Sequence, residues 1–322
     1  MDHKPNIVYL DAFTANPGDL PWTELESLGD LQTYEFSTEE EAVERAKNAE
    51  IIITNKFYIN ENNIGLFENL KYIVVSATGY NNVQLTAATK AGIPVSNVRG
   101  YSTTAVAQHV FSAIFALFNR TEYYNYKVRK GAWSESRDFC FYDHSIEEVA
   151  GKKMGIIGYG SIGKSVSKIA EAFGMDVLVY NKYGTGRQLS EHIHERALDE
   201  IYEQCDIISL HVPLNESSKR MINAESLAKM KSNAILINTS RGGLIDENAL
   251  AGHLQKNSSF FALLDVLTIE PPTDLNFLTN LDNCLVTPHH AWASKQARER
   301  LLAGVADNIR SYLSGQIINQ VL

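Results

Sequence analysis

Three stretches in the second half of the chain hold residues that could do chemistry together: "INTSRGGLID" with Arg241, "LLDVLTIEPP" with Glu270, and "TPHHAW" with His289 and His290. Each follows a short apolar run. In a doubly wound sheet the C-terminal ends of the strands line the ligand crevice, so side chains distant in sequence can converge there. A guanidinium, a carboxylate and an imidazole suit the reduction of a 2-oxo acid. The arginine pairs bidentately with the substrate carboxylate. The imidazolium gives a proton to the carbonyl oxygen as hydride arrives from a nicotinamide. The carboxylate orients the ring and favours its protonated form. Taken singly, Arg241 would be a surface ion-pair residue and Glu270 an ordinary loop acid. Their joint placement with a histidine carries the expectation. In an extended segment neighbouring side chains point opposite ways, so one histidine of the pair is expected to face the cleft. Spacing alone does not choose between them.

A cofactor site is expected in "MGIIGYGSIGKSVSKIAEAFGMDVLVYN". A strand leads into Gly158-x-Gly160-x-x-Gly163, a helix with Ile162, Val166, Ile169, Ala170 and Phe173 on one face follows, and a second strand ends at Tyr180. Glycine clusters are common in loops, but strand, turn, helix and strand in this order form the dinucleotide fingerprint. The first glycine permits the tight turn, the second admits a pyrophosphate, and the third lets helix and strand pack closely. The helix N-terminus attracts the phosphates. An acid is expected at the end of the second strand to bind ribose hydroxyls; this chain has Asn181 followed by Lys182. Asparagine can still bond a ribose hydroxyl but does not repel a 2′-phosphate. NAD is the first choice of cofactor, with NADP as the alternative.

The elements that must position these groups are apolar runs separated by helical patterns. They are Ile7–Leu10, Ile51–Ile53, Tyr72–Ser76 and Pro94–Ser96, then Met154–Ile157, Val177–Tyr180, Ile207–Leu210, Ala234–Ile237, Phe261–Leu264 and Cys284–Thr287. Continuous rather than alternating apolarity predicts strands buried on both faces of a parallel sheet. Val106–Phe118 is apolar nearly all round, which predicts a helix buried between domains or subunits. A polar, aromatic arm follows it. The last 30 or so residues are too few for a domain and must pack on one already built.

The chain has 322 residues, room for two domains, and a net charge of −9 that argues against nucleic acid as a partner. With 44 % hydrophobic and 21 % charged residues it has a globular composition. No stretch has membrane-spanning length, and the apolar run at Ile7–Leu10 is too short for a signal peptide. Cys140, Cys205 and Cys284 form no C-x-x-C pair, and three reduced, buried thiols in the cytoplasm are expected. His192 and His194 form an H-x-H without further ligands nearby, so no metal site is expected. His109 is expected as a hydrogen-bonded core residue of its helix, and His211 as a packing residue that could sit near the cofactor.

With these motifs in place, the chain resembles the D-isomer-specific 2-hydroxyacid dehydrogenase family over nearly its whole length. The resemblance rests on Gly158–Gly163, "NTSRGGLIDE", "LDV…EPP" and "TPHHAW". Within the family, "SATGYNNV", "GYSTTAVAQHVF", "DFCFYD" and the "AW" after the histidine are similar to glycerate dehydrogenases, or hydroxypyruvate reductases. The resemblance implies an α/β architecture of two doubly wound parallel-sheet domains. A central Rossmann NAD(P)-binding domain (103–291) would be inserted into a flavodoxin-like substrate domain (1–102 and 292–322).

It also implies Arg241, Glu270 and His289 as the catalytic set, the pattern T-P-H-x-A choosing His289 over His290. Implied cofactor contacts are Thr104, Gly158, Tyr159, Gly160, Ser161, Ile162, Gly163, Asn181, Lys182, Val212, Pro213, Thr239, Ser240, Arg241, Asp265, His289 and Ala291. Implied substrate contacts are the backbone around Ala77, Thr78 and Gly79, with Arg241, His289 and Trp292. Trp292 is either a cleft wall or an interface anchor. A homodimer through the helix at 106–118 and its arm is implied as well. Departures from the family pattern are Asn181, and Gln108 where many members have glutamate. The expected reaction is hydride transfer between NAD(P)H and a short 2-oxo acid, hydroxypyruvate or glyoxylate, giving D-glycerate or glycolate. Two alternatives stay open: an NAD(H)-sensing, corepressor-like interaction protein, and a dehydrogenase for another substrate such as D-lactate or phosphoglycerate.

Overall fold

The computed structural model describes residues 4–184, 189–272 and 277–321. The chain divides into two compact units, residues 1–102 with 293–322 and residues 103–292. The first unit therefore receives both ends of the chain.

In the first unit, β1 (Asn6–Tyr9), β2 (Asp30–Thr33), β3 (Ile51–Thr54), β4 (Tyr72–Val75) and β5 (Val95–Asn97) form an all-parallel sheet in the order β2-β1-β3-β4-β5. This is the flavodoxin-like order. Every residue of β3, β4 and β5 is buried, as the continuous apolar runs of β3 and β4 demand. The edge strand β2, "DLQT", is largely exposed and carries no apolar run, which is why the sequence pattern misses it. The C-terminal helix Lys295–Leu313 starts at Ser294, whose side chain caps the N–H of Ala297, and buries Leu301, Val305 and Ile309. It packs on β4 and on the short helix Thr23–Glu26. Arg298 grips Asp19 with two hydrogen bonds of 2.6 and 2.7 Å, and Asn308 donates to the carbonyl of Asn97. The tail completes the first unit rather than standing apart.

In the second unit, β6 (Lys153–Ile157), β7 (Asp176–Tyr180), β8 (Ile193–Glu195), β9 (Ile207–Leu210), β10 (Ile235–Asn238), β11 (Phe261–Leu264) and β12 (Cys284–Val286) are again all parallel. Their order is β12-β11-β10-β9-β6-β7-β8, a Rossmann sheet with one further strand. The order reverses between β6 and β9, and in open α/β sheets ligands bind at the strands' C-terminal ends beside such a switch point. β8 is a three-residue edge strand with an exposed end, again without an apolar run to announce it.

The helix Thr103–Asn119 packs on the helix Ser161–Ala172, and its buried side chains, among them Val110, Phe111 and Ile114, join the core on one face of this sheet. Within the second unit alone it already buries these side chains. After it come the helix Thr121–Arg129 and an irregular, largely exposed segment up to β6. Cys140 lies there and is exposed, which corrects the expectation of three buried thiols. Burial pushes the Cys205 and Cys284 thiols up to about 12, so neither is a ready nucleophile.

Candidate active site

Parallel pairing brings the three chemical stretches to one end of one sheet. Asn238 pairs with Leu264, and Leu264 with Val286, so the segments leaving β10, β11 and β12 emerge side by side. The Asp265 N–H donates to the Asn238 carbonyl at 2.9 Å, and the Thr287 N–H to the Leu264 carbonyl at 2.8 Å, extending the alignment past the strands.

The turn bearing Arg241 is held by Asn238, a buried residue that sequence reasoning did not single out. Its Nδ2 donates to the Arg241 carbonyl at 2.8 Å and its Oδ1 accepts from the Ser240 N–H at 3.0 Å. An asparagine closing a strand and opening such a turn is a readable signal. The Ser240 hydroxyl donates to the Leu210 carbonyl. Arg241 spends one Nη1 hydrogen bond on the Ser240 carbonyl at 2.7 Å, and a guanidinium has four further donors for an anion. A Cβ placed on Gly242 would collide with the backbone of Leu267 and Thr268. The arginine turn is therefore pressed directly against the loop that carries Glu270.

Glu270 divides its carboxylate. Oε1 accepts from the Leu267 N–H at 2.8 Å, which fixes the side chain over its own loop. Oε2 lies 2.5 Å from Nδ1 of His289. An ionised carboxylate only accepts, so Nδ1 carries the hydrogen and Nε2 is the ring atom that takes or releases a proton. Among the described residues no group bonds that Nε2.

His289 is not in an extended segment. Its φ is +50°, in the left-handed region, and its N–H donates both to the Asp265 carbonyl (2.8 Å) and across Pro288 to the Thr287 carbonyl (2.9 Å). The second bond closes a γ-turn around Pro288, whose ring-fixed φ suits that turn. The alternation argument applied to the two histidines is thus corrected: a turn, not a strand, aims the rings. The left-handed backbone costs on the order of 1–3 kcal/mol and persists only where its surroundings hold it. The holder is Asp265, whose residue is only 2 % exposed. Its Oδ1 accepts from the Thr287 hydroxyl (2.6 Å) and the His290 N–H (3.0 Å), and its Oδ2 from the Ala291 N–H (2.9 Å). His290 itself is exposed, its ring edge-on to that of His109.

The glycine turn fits a dinucleotide. Gly158 has φ +100°, and a Cβ there would strike the carbonyl of His211; a Cβ on Gly163 would strike the carbonyl of Gly158. A Cβ on Gly160 would meet nothing within 4 Å, leaving open space where the pyrophosphate belongs. Ser161, Ile162 and Gly163 open the helix Ser161–Ala172 behind that space, with Tyr159 beside the turn. Across the switch point, Nδ1 of His211 and Oγ1 of Thr239 are buried without a hydrogen-bond partner. They sit one residue beyond the paired Leu210 and Asn238, so two orphaned polar atoms lie at neighbouring strand ends. Buried polar atoms of this kind call for a partner. Burial also pushes the His211 imidazole down to about 4, so it is neutral near pH 7.

At the end of β7, Asn181 ties its amide nitrogen to the Gly184 carbonyl, which leaves Oδ1 as an acceptor, and Lys182 donates to the Ser217 hydroxyl at 3.0 Å. Val212 and Pro213 follow His211 just beyond β9. Thr104 is exposed on the first turn of its helix, and Trp292 is half-buried. Ala77, Thr78 and Gly79 follow β4 in the first unit. There the Val98 N–H bonds the Ala77 carbonyl, Asn97 bonds the Thr78 carbonyl, and the Thr78 hydroxyl bonds the Val98 carbonyl.

Comparison with known proteins agrees with this geometry. Residues 111–291 match the model of the D-isomer specific 2-hydroxyacid dehydrogenase NAD binding domain. The chain is 38 % identical over 318 residues to the hydroxypyruvate reductase of Blautia hydrogenotrophica, covering 98 % of this chain and 99 % of that protein. It is 43 % identical over 295 residues to the glycerate dehydrogenase of Methylorubrum extorquens, covering 91 % and 92 %. Among solved structures, an acyclic imino acid reductase in complex with NADPH and D-Arg superposes with a TM-score of 0.84 at 34 % identity, covering 98 % of this chain and all of that one. The D-lactate dehydrogenase of Aquifex aeolicus with NAD and lactic acid superposes with a TM-score of 0.80 at 28 % identity, covering 96 % of each chain. From the flavodoxin-like and Rossmann sheets, the dinucleotide turn and these relatives together, the chain belongs to the D-isomer-specific 2-hydroxyacid dehydrogenases and is an NAD(P)-dependent oxidoreductase.

Proposed function

We propose that the protein reduces a short 2-oxo acid, hydroxypyruvate or glyoxylate, to the corresponding D-glycerate or glycolate, with Arg241, Glu270 and His289 as the acting set. The observation that carries this reading is the 2.5 Å contact between Glu270 Oε2 and His289 Nδ1 beside the arginine turn. Bound NAD(P)H supplies the hydride. Arg241 holds the substrate carboxylate with its remaining donors. His289 delivers the Nε2 proton to the carbonyl oxygen as charge develops there, and Glu270 stabilises the ring while it is charged. In the reverse direction the neutral ring accepts the hydroxyl proton at the same atom. The N–H groups around Ala77–Gly79 are proposed as further partners of the substrate carboxylate, since the hydrogen bonds of that segment run through its carbonyls and the Thr78 hydroxyl. Thr239 and Asp265 are proposed to face the nicotinamide end of the cofactor, Ser161 and Ile162 its pyrophosphate, and Asn181 and Lys182 its adenosine ribose. Thr104, Val212, Pro213, Ser240 and Ala291 are proposed along its length, and Trp292 as a wall of the substrate site.

The test is a panel of initial rates with NADH and NADPH against hydroxypyruvate, glyoxylate, pyruvate and phenylpyruvate. Hydroxypyruvate or glyoxylate should give the highest kcat/KM. Tight NADH binding without turnover of any of the four would replace the enzyme by a nucleotide sensor. Turnover that appears only when an amine accompanies the oxo acid would point to imine reduction, as in the similar imino acid reductase.

The same reading includes a cytoplasmic homodimer. Free cysteines and an NAD(P)H requirement support the compartment. Phe139 at 90 % and Tyr142 at 73 % exposure, with Trp133 and Tyr126 nearby in the arm, support the dimer, because exposed aromatic clusters mark interaction surfaces. Light scattering should give twice the chain mass, and Phe139→Ser with Tyr142→Ser should lower it.

A further inference from the structure

We propose that His109 is a positioning residue for His289, acting through the Thr287 hydroxyl and the Asp265 carboxylate. This rests on the reading of His289 as proton donor and adds to it a residue on a different element. The helix Thr103–Asn119 is almost wholly apolar, and His109 is its one titratable side chain. A histidine at such a place reads as core. Yet its Nε2 lies 3.2 Å from Thr287 Oγ1, and the same Oγ1 lies 2.6 Å from Asp265 Oδ1.

The direction of these bonds follows from counting protons. A hydroxyl has one, and at 2.6 Å from a carboxylate oxygen it goes to the carboxylate. Thr287 Oγ1 can then only accept from His109, so Nε2 of His109 carries hydrogen. Burial, helped by the neighbouring His290 and opposed by Asp265, holds His109 below the usual histidine range. It is therefore neutral near pH 7, and its tautomer is set by this acceptor. The charged form also has hydrogen on Nε2, so the chain of donors runs the same way in both states.

The chain ends on the catalytic loop. The oxygens of Asp265 accept the N–H groups of His290 and Ala291, and its main-chain carbonyl accepts that of His289. One buried residue thus holds the backbone at and after His289, whose φ is +50°. A threonine hydroxyl has three staggered positions. His109 selects the one that keeps the Asp265 carboxylate turned toward the loop. His109, Asp265 and His290 also place ligand-type atoms within 4.8 Å of one another, as a metal site would. Oδ1 of Asp265 is already filled by the Thr287 hydroxyl and the His290 N–H, so the cluster reads as a hydrogen-bond relay.

The experiment compares His109→Leu, His109→Gln, Thr287→Val, Thr287→Ser and the His109→Leu/Thr287→Val pair in the full-length enzyme. Readouts are kcat and KM with hydroxypyruvate, NADH affinity by fluorescence, melting temperature and imidazole nitrogen NMR. His109→Leu should lower kcat about tenfold, since small misplacements of a catalytic group carry such costs, with NADH affinity within about twofold. Glutamine, which keeps a donor, and Thr287→Ser, which keeps the hydroxyl, should restore most of the rate. The double variant should lose no more than Thr287→Val alone. In the NMR, His109 should carry hydrogen on Nε2 and not on Nδ1, and the His289 ring signals should move in His109→Leu but not in His109→Gln. Wild-type kcat in His109→Leu, equal losses for leucine and glutamine, additive losses in the double variant, or hydrogen on His109 Nδ1 would each overturn the proposal. If the wild-type protein turned over no 2-oxo acid, the functional reading would fall while the NMR arms still decided the relay.

Discussion

Replacing Glu270 by glutamine tests the proposed chemistry at its centre. Oε1 accepts the Leu267 N–H at 2.8 Å, and Oε2 faces Nδ1–H of His289 at 2.5 Å. Glutamine has one acceptor and one donor end. If its oxygen keeps the Leu267 N–H, its NH₂ opposes Nδ1–H; if it turns, it opposes Leu267. Either way the charged ring loses a charge-assisted hydrogen bond, worth about 1.5–3 kcal/mol. The two side chains are 32 % and 23 % exposed, so water offsets part of the loss and about 2 kcal/mol is the fitting figure. That corresponds to a rate factor of about 30. The kcat of NADH-dependent reduction at neutral pH should therefore fall about 30-fold. Stopped-flow or steady-state rates at about pH 7 would measure it. A kcat within about threefold of the wild type's would mean that Glu270 does not support the charged ring, and the acid–base assignment would fail.

Other perturbations separate fold from site. Gly158→Ala brings a Cβ onto the His211 carbonyl at φ +100° and should cost about 2 kcal/mol, or about 4–8 °C in Tm for a unit of this size. Gly160→Ala meets no protein atom, so it should leave Tm within about 1 °C while weakening NADH binding about tenfold or more by filling the phosphate cradle. Asp265→Asn turns an NH₂ toward the N–H groups of His290 or Ala291 and should cost about 2 kcal/mol in the catalytic loop; a kcat within twofold of wild type would contradict that role. His211 is held near 4 when folded and titrates near 6.5 when exposed. The unfolded chain therefore binds the extra proton, and this residue's contribution erodes stability as pH falls from about 6.5 to about 4 and not above. Urea unfolding at pH 7.5 and 5 should show a smaller acid loss in His211→Gln.

Much of this molecule is legible from residues in order. Continuous apolar runs such as Ile51–Ile53 and Ile207–Leu210 mark buried parallel strands because both faces of the sheet are covered. The polar edge strands Asp30–Thr33 and Ile193–Glu195 escape the same reading because an edge needs no apolar side chains. The glycine turn is legible because Gly158 and Gly163 are demanded by local close approach. Which histidine acts, and how it is aimed, lies beyond local pattern. A Pro288-centred turn, a left-handed His289 and a buried Asp265 from another strand decide it together.

The order of residue types determined on its own that strands would be buried on both sides, that a phosphate-binding turn would precede a helix, and that a cation, an acid and an imidazole would each follow a strand. Those are matters of local sterics and solvation, which neighbouring residues settle among themselves. Only the tertiary structure decided that Glu270 meets Nδ1 of His289, and that His109 and Thr287 reach the loop around it through Asp265. Those contacts join groups far apart in the chain, and hydrogen-bond direction, acting over about 3 Å, has no counterpart in spacing along the sequence.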